Sequence, residues 1–128
     1  MTSPVHSFIV DWFQRFDRLD PVEAFLPDLH PDVVWDMPDI NPNLHGHARF
    51  KAWYAAVLDT LVPPTEHHLS NITVTDNTAT FNVRLRARTK DGTIIEANVR
   101  EDWHFTTRTD GTPLITHYTA TFLEELPA

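Results

Sequence analysis

The stretch from Phe81 to Phe105 constrains this chain more than any other. Phe81, Val83, Leu85 and Ala87 alternate with Asn82, Arg84, Arg86 and Arg88, the period of a strand with one face on a core and the other toward water. Lys90-Asp91-Gly92 then suits a three-residue hairpin turn with Gly92 in the left-handed position. Pairing Thr89 with Thr93 sets the register: Ala87 faces Ile95, Leu85 faces Ala97 and Val83 faces Val99, with Arg86 opposite Glu96 on the other side. The same face runs on through Glu101 to Trp103 and Phe105. An apolar sheet face of this length has to be covered, so the rest of the chain must supply a second layer.

The N-terminal half supplies it. With Ser3 as N-cap and Pro4 at the first helical position, Val5, Phe8, Ile9, Trp12, Phe13, Phe16 and Leu19 keep the three-four spacing of an amphipathic helix. Asp20-Pro21-Val22-Glu23 reads as the cap of a second short helix that ends near Leu29 and turns Phe25 and Leu26 inward. Val33-Val34-Trp35 predicts a short strand. From Met37 to Gly46, two prolines and two asparagines predict a loop over one end of the fold. Ala48, Phe50, Trp53, Tyr54, Val57, Leu58 and Leu61 mark a third helix, stopped by Pro63-Pro64.

After Pro64 the chain alternates. His68, Ser70, Ile72 and Val74 are expected on one face of a strand that Asp76-Asn77 turns, and Leu114, Thr116, Tyr118, Ala120 and Phe122 on one face of a last strand after Asp110-Gly111. The expectation is one α+β domain over residues 1–128. Three N-terminal helices cover the concave face of a curved, twisted antiparallel sheet of four long strands, leaving a cone-shaped gap at its open end.

Bulk properties narrow the partners. The formal charge is −8 from 10 Lys and Arg against 18 Asp and Glu, a balance that repels a phosphate backbone, so nucleic acid is not an expected partner. The absence of cysteine removes disulfide and thiolate chemistry. No signal peptide and no transmembrane stretch is read, which makes the cytoplasm the default compartment and a membrane an unexpected partner.

The element order, together with Asp32-Val33-Val34-Trp35, Pro38, Gly46, the aromatic third helix, Glu101-Asp102-Trp103-His104-Phe105 and Leu114-Ile115-Thr116-His117-Tyr118, resembles the NTF2-like superfamily. Within it, the chain looks most like the polyketide-cyclase, SnoaL-like branch and its ketosteroid-isomerase relatives. The resemblance spans nearly the whole chain and implies a conical pocket, homodimers through the sheet, and isomerase, dehydratase, cyclase or hydrolase chemistry, although many members only bind ligands. Position by position, most functional groups of those families do not carry over. Where ketosteroid isomerases have an Asp base before a proline, aligning on Pro38 gives Met37, with Asp36 one step away. Their oxyanion tyrosine falls near Trp12 or Phe13, and their protonated Asp falls on Glu101, a carboxyl kept in type. The last-strand Asp of polyketide cyclases meets Thr119, Ala120, Thr121 and Phe122.

Glu101 stands out without any family, because it interrupts an apolar face. Buried there, it must be paired or neutral, and a neutral carboxyl suits a general acid or a hydrogen-bond donor to an oxyanion. A bulge at Arg100 turning it outward, or a pairing with a nearby Arg, is the structural alternative. His68, expected to point into the same cavity, is the candidate base or proton shuttle, and a core histidine satisfied by a backbone carbonyl is the competing reading. Tyr118 is the candidate positioning donor or plain core. Asp36 and Asp39 flank the loop mouth, either as solvated loop carboxylates or as a base that swings in. Trp12, Phe16, Trp35, Trp53, Phe81 and Trp103 are candidates for contact with an apolar ring system, or simply for packing. His45-Gly46-His47 and His67-His68 raise the question of a metal, but neighbours on a strand point to opposite faces, so no metal and no cofactor is expected. The leading expectation is a cofactor-independent isomerase, dehydratase or cyclase acting on a mostly apolar cyclic or polyketide-like molecule. The alternatives are a non-catalytic ligand-binding module and an accessory subunit pairing through Arg84, Arg86 and Arg88.

Overall fold

A computed structural model describes residues 4–37 and 41–123. Ser3, Pro38 and Asp39 lie outside the described residues. The fold is α+β: helix α1 (Pro4–Asp17), two 3₁₀ turns (Val22–Ala24 and Leu26–Asp28), strands β1 (Leu29–Met37) and β2 (Asn41–His45), helix α2 (Gly46–Thr60), and strands β3 (Leu61–Thr75), β4 (Thr78–Thr89), β5 (Ile94–Thr107) and β6 (Pro113–Phe122). Among the described residues the strands form one curved, unclosed mixed sheet in the order β2-β1-β6-β5-β4-β3. No helix among them is long and apolar enough to cross a membrane.

The hairpin register holds at every expected pair: Ala87 with Ile95, Leu85 with Ala97, Val83 with Val99 and Arg86 with Glu96. Phe81, Val83, Ala87, Val99, Trp103 and Phe105 are buried beneath the helical layer. Ile95 shares their face but is 36% exposed.

Four expectations need correction. The second helix is a pair of 3₁₀ turns with Phe25 buried between them. Pro27 has no N–H to continue an α-helical ladder, and one turn on either side of Phe25 is as much as the segment can form. The stretch after Met37 is not wholly a loop, since β2 pairs antiparallel with β1 through Val34 with His45 and Trp35 with Leu44. β2 is an edge strand, the place where a sheet tolerates Pro42. The β1 strand is nine residues rather than three and runs parallel to β6, so the sheet has six strands, not four, and is not purely antiparallel. In β6 a register shift opposite His104 and Phe105 brings Ile115 inward instead of Leu114 and Thr116, while Tyr118 and Ala120 keep the expected face.

The core is aromatic. Trp12 of α1 is fully buried, with its ring 4.9 Å from Phe25, 5.8 Å from Trp103, 6.1 Å from Trp35 and 6.2 Å from Tyr118. It joins helix, turn and sheet, and each such ring pair adds about 0.5–1.5 kcal/mol beyond the area it buries.

Candidate functional site

A cavity of about 210 Å³ opens between the helices and the concave sheet. Its inner wall is made of buried side chains: Trp35 on β1, Val83 on β4, Val99 and Glu101 on β5, Tyr118 and Ala120 on β6. Trp53 and Val57 of α2, Leu61, Leu85 and Phe122 are only partly buried and form its rim. The lining is almost wholly apolar, with polar groups at two places.

The first is Glu101. It is 3% exposed, because the regular alternation of β5 carries it inward along with Val99 and Trp103. Trp103 Nε1–H donates to its Oε1 at 3.1 Å, and the Tyr118 hydroxyl hydrogen-bonds the same carboxyl. No bulge turns it out, and no arginine salt bridge reaches it among the described residues. Desolvation pushes its pKa up to about 7, opposed by the hydrogen bonds from Tyr118 and then Trp103. Burial, and then the carboxyl beside it, hold the Tyr118 hydroxyl far above the usual tyrosine range. Tyr118 is positioned by stacking on Trp35, with centroids 3.6 Å apart and planes inclined by 12°.

The second is His67, not His68. His68 is 69% exposed by side chain and faces outward, 3.5 Å from Glu66. The reason is Asn71, which sits at φ 56° in the left-handed region, within a register shift between Ser70 and Thr73. One extra residue there reverses the phase of the strand. Ile72 and Val74 point inward as expected, but before the bulge the inward positions become Thr65, His67 and Leu69. The His67 side chain is 8% exposed, lines the cavity, and places Nδ1 2.6 Å from Asp17 Oδ1. Thr65 Oγ1 donates to the same oxygen at 2.9 Å.

Sequence reasoning weighed His67 only as a metal ligand and passed over Asp17. The available signal was an asparagine in mid-strand, the residue type that most readily enters the left-handed region outside glycine, followed by apolar residues out of phase with Leu69.

The remaining candidates divide by position. Trp35, Phe16 and Trp53 line the cavity. Trp12, Phe81 and Trp103 do not line it and belong to the core behind it. Asp36 is partly buried, on β1 between the inward-facing Trp35 and Met37, and outside the cavity wall. His47 Nε2 lies 2.8 Å from the Leu29 carbonyl oxygen, and no three His, Asp or Glu side chains converge as a metal site among the described residues.

Residues 9–122 match the family model of the SnoaL-like domain. Among solved structures, the chain is similar to a Novosphingobium aromaticivorans protein provisionally named as an aromatic ring hydroxylase, with a TM-score of 0.82 and 22% identity over 97% of this chain and 90% of that one. TerC co-crystallised with polyporic acid gives a TM-score of 0.73 at 22% identity, covering 94% and 92%. ActVI-ORFA from Streptomyces coelicolor gives 0.74 at 16% identity, covering 93% and 94%. At such identities the likeness is one of fold. Curated protein sequences give no match.

Proposed function

The chain belongs to the SnoaL-like domain family, and we propose that its cavity takes a largely apolar molecule of one or two rings and serves an oxygen of that molecule with the neutral Glu101 carboxyl. This is the arrangement of a cofactor-independent isomerase, dehydratase or cyclase working by acid–base chemistry. One observation carries it: a buried carboxyl, with its pKa pushed up to about 7, stands in an otherwise apolar cavity wall. Trp103 and Tyr118 both donate to it. In that arrangement the carboxyl's own proton is left for an acceptor that the occupant brings. Size sets the class. An apolar cavity of about 150 Å³ accommodates benzene, and about 210 Å³ falls below the roughly 300 Å³ at which ordinary ligand pockets begin. TerC, of the same fold, was co-crystallised with polyporic acid.

The test compares 2-tetralone with tetralin, the same two rings without the carbonyl, by quenching of tryptophan fluorescence. The expected result is about tenfold tighter binding of 2-tetralone, the value of one good hydrogen bond, with the preference lost in Glu101→Leu. Equal affinities in the unsubstituted protein would remove the proposal's support.

A binding module without turnover is the second reading. It is favoured by Met37, which has no proton to exchange, and by Thr119, Ala120, Thr121 and Phe122, none of which offers a carboxylate on the last strand.

A further inference from the structure

The structure assigns the cavity a second reactive group: His67, held by Asp17, is the general base that takes a proton from a carbon atom of the occupant while Glu101 serves the oxygen. The inference rests on the reading of Glu101 above and adds the group that the binding-module reading lacks.

Four observations carry it. His67 Nδ1 is 2.6 Å from Asp17 Oδ1, so in the neutral ring Nδ1–H donates to the carboxylate and the lone pair resides on Nε2. Thr65 Oγ1 donates to that same carboxylate oxygen at 2.9 Å from a side chain that is itself buried, which fixes the carboxylate and through it the ring. Phe13 and Phe16 bracket the imidazole, each with its centroid 4.9 Å away. His67 also lines the cavity, and Nε2 engages no partner among the described residues. A histidine that merely filled the core would bury this nitrogen or satisfy it. Here carboxylate, imidazole and an unengaged Nε2 follow one another toward the cavity, the order in which a base is oriented and its cation stabilised.

The position of Asp17 supports the same conclusion. It is the last residue of α1, where the helix dipole disfavours an anion. Helix stability therefore does not account for a carboxylate at this position, whereas orientation of His67 does.

The step balances without a co-reactant. Nε2 forms a bond to the proton as the C–H bond beside a carbonyl breaks. The electron pair moves into the new C=C bond, and the carbonyl oxygen, now bearing the charge, accepts the Glu101 proton. The imidazolium is paired with Asp17, and reversal at the same or a conjugated carbon restores both groups. The occupant is therefore a ring ketone with an acidic C–H, and the reaction class is proton transfer through an enol.

The experiment uses 2-tetralone in D₂O, with loss of its C1 hydrogens followed by proton NMR. The unsubstituted protein is expected to accelerate exchange, and His67→Gln to lose about 10²- to 10⁴-fold of that acceleration, the range of a general base, while still binding 2-tetralone and keeping its melting temperature. Asp17→Asn tests positioning: the maximal exchange rate falls while the half-saturating 2-tetralone concentration stays put. Imidazole added to His67→Ala is expected to restore part of the exchange, which guards against a variant that is inactive through misfolding. Exchange at the unsubstituted rate in His67→Gln overturns the inference and leaves the Glu101 reading standing. Tighter binding of 2-tetralone than tetralin without exchange in the unsubstituted protein does the same, and loss of that binding preference overturns both.

Discussion

β3 and β5 are two walls of one cavity, and they hold their polar groups in different ways. β5 pairs with β4 from Ile94 to His104 without a break, and Glu101, carried inward by that alternation, is held by hydrogen bonds from Trp103 of its own strand and Tyr118 of β6. β3 breaks register twice, between Val62 and Glu66 and between Ser70 and Thr73, and Thr65 is its one fully buried residue. His67 is held instead from the neighbouring helix, through Asp17. On the regular strand alternation alone decides which face a side chain takes, whereas on the irregular one the partner from another element holds the ring in place. Damage to β5 should therefore appear mainly in stability, and damage to β3 mainly in the placement of one ring.

The largest effect expected from this contrast comes from Trp103. Its ring meets Trp12, Phe13, Phe81 and Tyr118 at centroid distances between 4.9 and 5.8 Å, so Trp103→Ala should cost about 3–5 kcal/mol in urea denaturation. Leu69→Ala on β3, partly exposed, should cost about half of that or less. Equal costs would mean the two walls are built alike.

Next in size is a pH effect confined to β5. The folded-state pKa of Glu101 is raised from 4.5 to about 7, so between those values the folded protein holds a proton that the unfolded chain has released. Its contribution to stability is complete below pH 4.5, declines as pH rises through 7, and levels off above. The amplitude is on the order of 3 kcal/mol. Subtracting the stability curve of Glu101→Gln from that of the unsubstituted protein isolates this group from the other carboxylates. A flat difference between pH 4.5 and 7 would show that Glu101 is ionised in the folded state.

The same contrast explains what could be read from the sequence. The hairpin was legible down to individual pairs because strict alternation, a Gly92 turn and the Arg86–Glu96 match all agree on one register. Glu101 was legible for the same reason, as the polar residue out of place in a reliable pattern. β2 was not, because its pairing comes from β1 across the sheet and its own residues argue against a strand. The parallel contact of β1 with β6 was likewise invisible, since it joins segments about eighty residues apart and leaves no local trace. His67 was missed because alternation was carried backward from Ile72 and Val74 through Asn71, where the chain gains one residue and the faces exchange.

Asn71 is thus the residue on which the difference between the walls turns, and substituting it produces the smallest of these effects on stability. At φ 56° a β-branched side chain is forced against the backbone, at a cost of roughly 1–2 kcal/mol, whereas glycine meets no such penalty. Asn71→Val should therefore lose about that much stability and Asn71→Gly should stay near the parent. The informative readout is the ring, not the melting curve. If Asn71→Val relieves its strain by losing the bulge, the residues before it change faces together, His67 leaves Asp17 for solvent and His68 turns in. The histidine nitrogen resonances of His67 should then shift toward those of a solvated ring, and Asn71→Gly should leave them in place. A valine variant as stable as the parent, with unchanged His67 resonances, would show that the left-handed residue does not set the phase of β3, and that Asp17 alone selects which histidine enters the cavity.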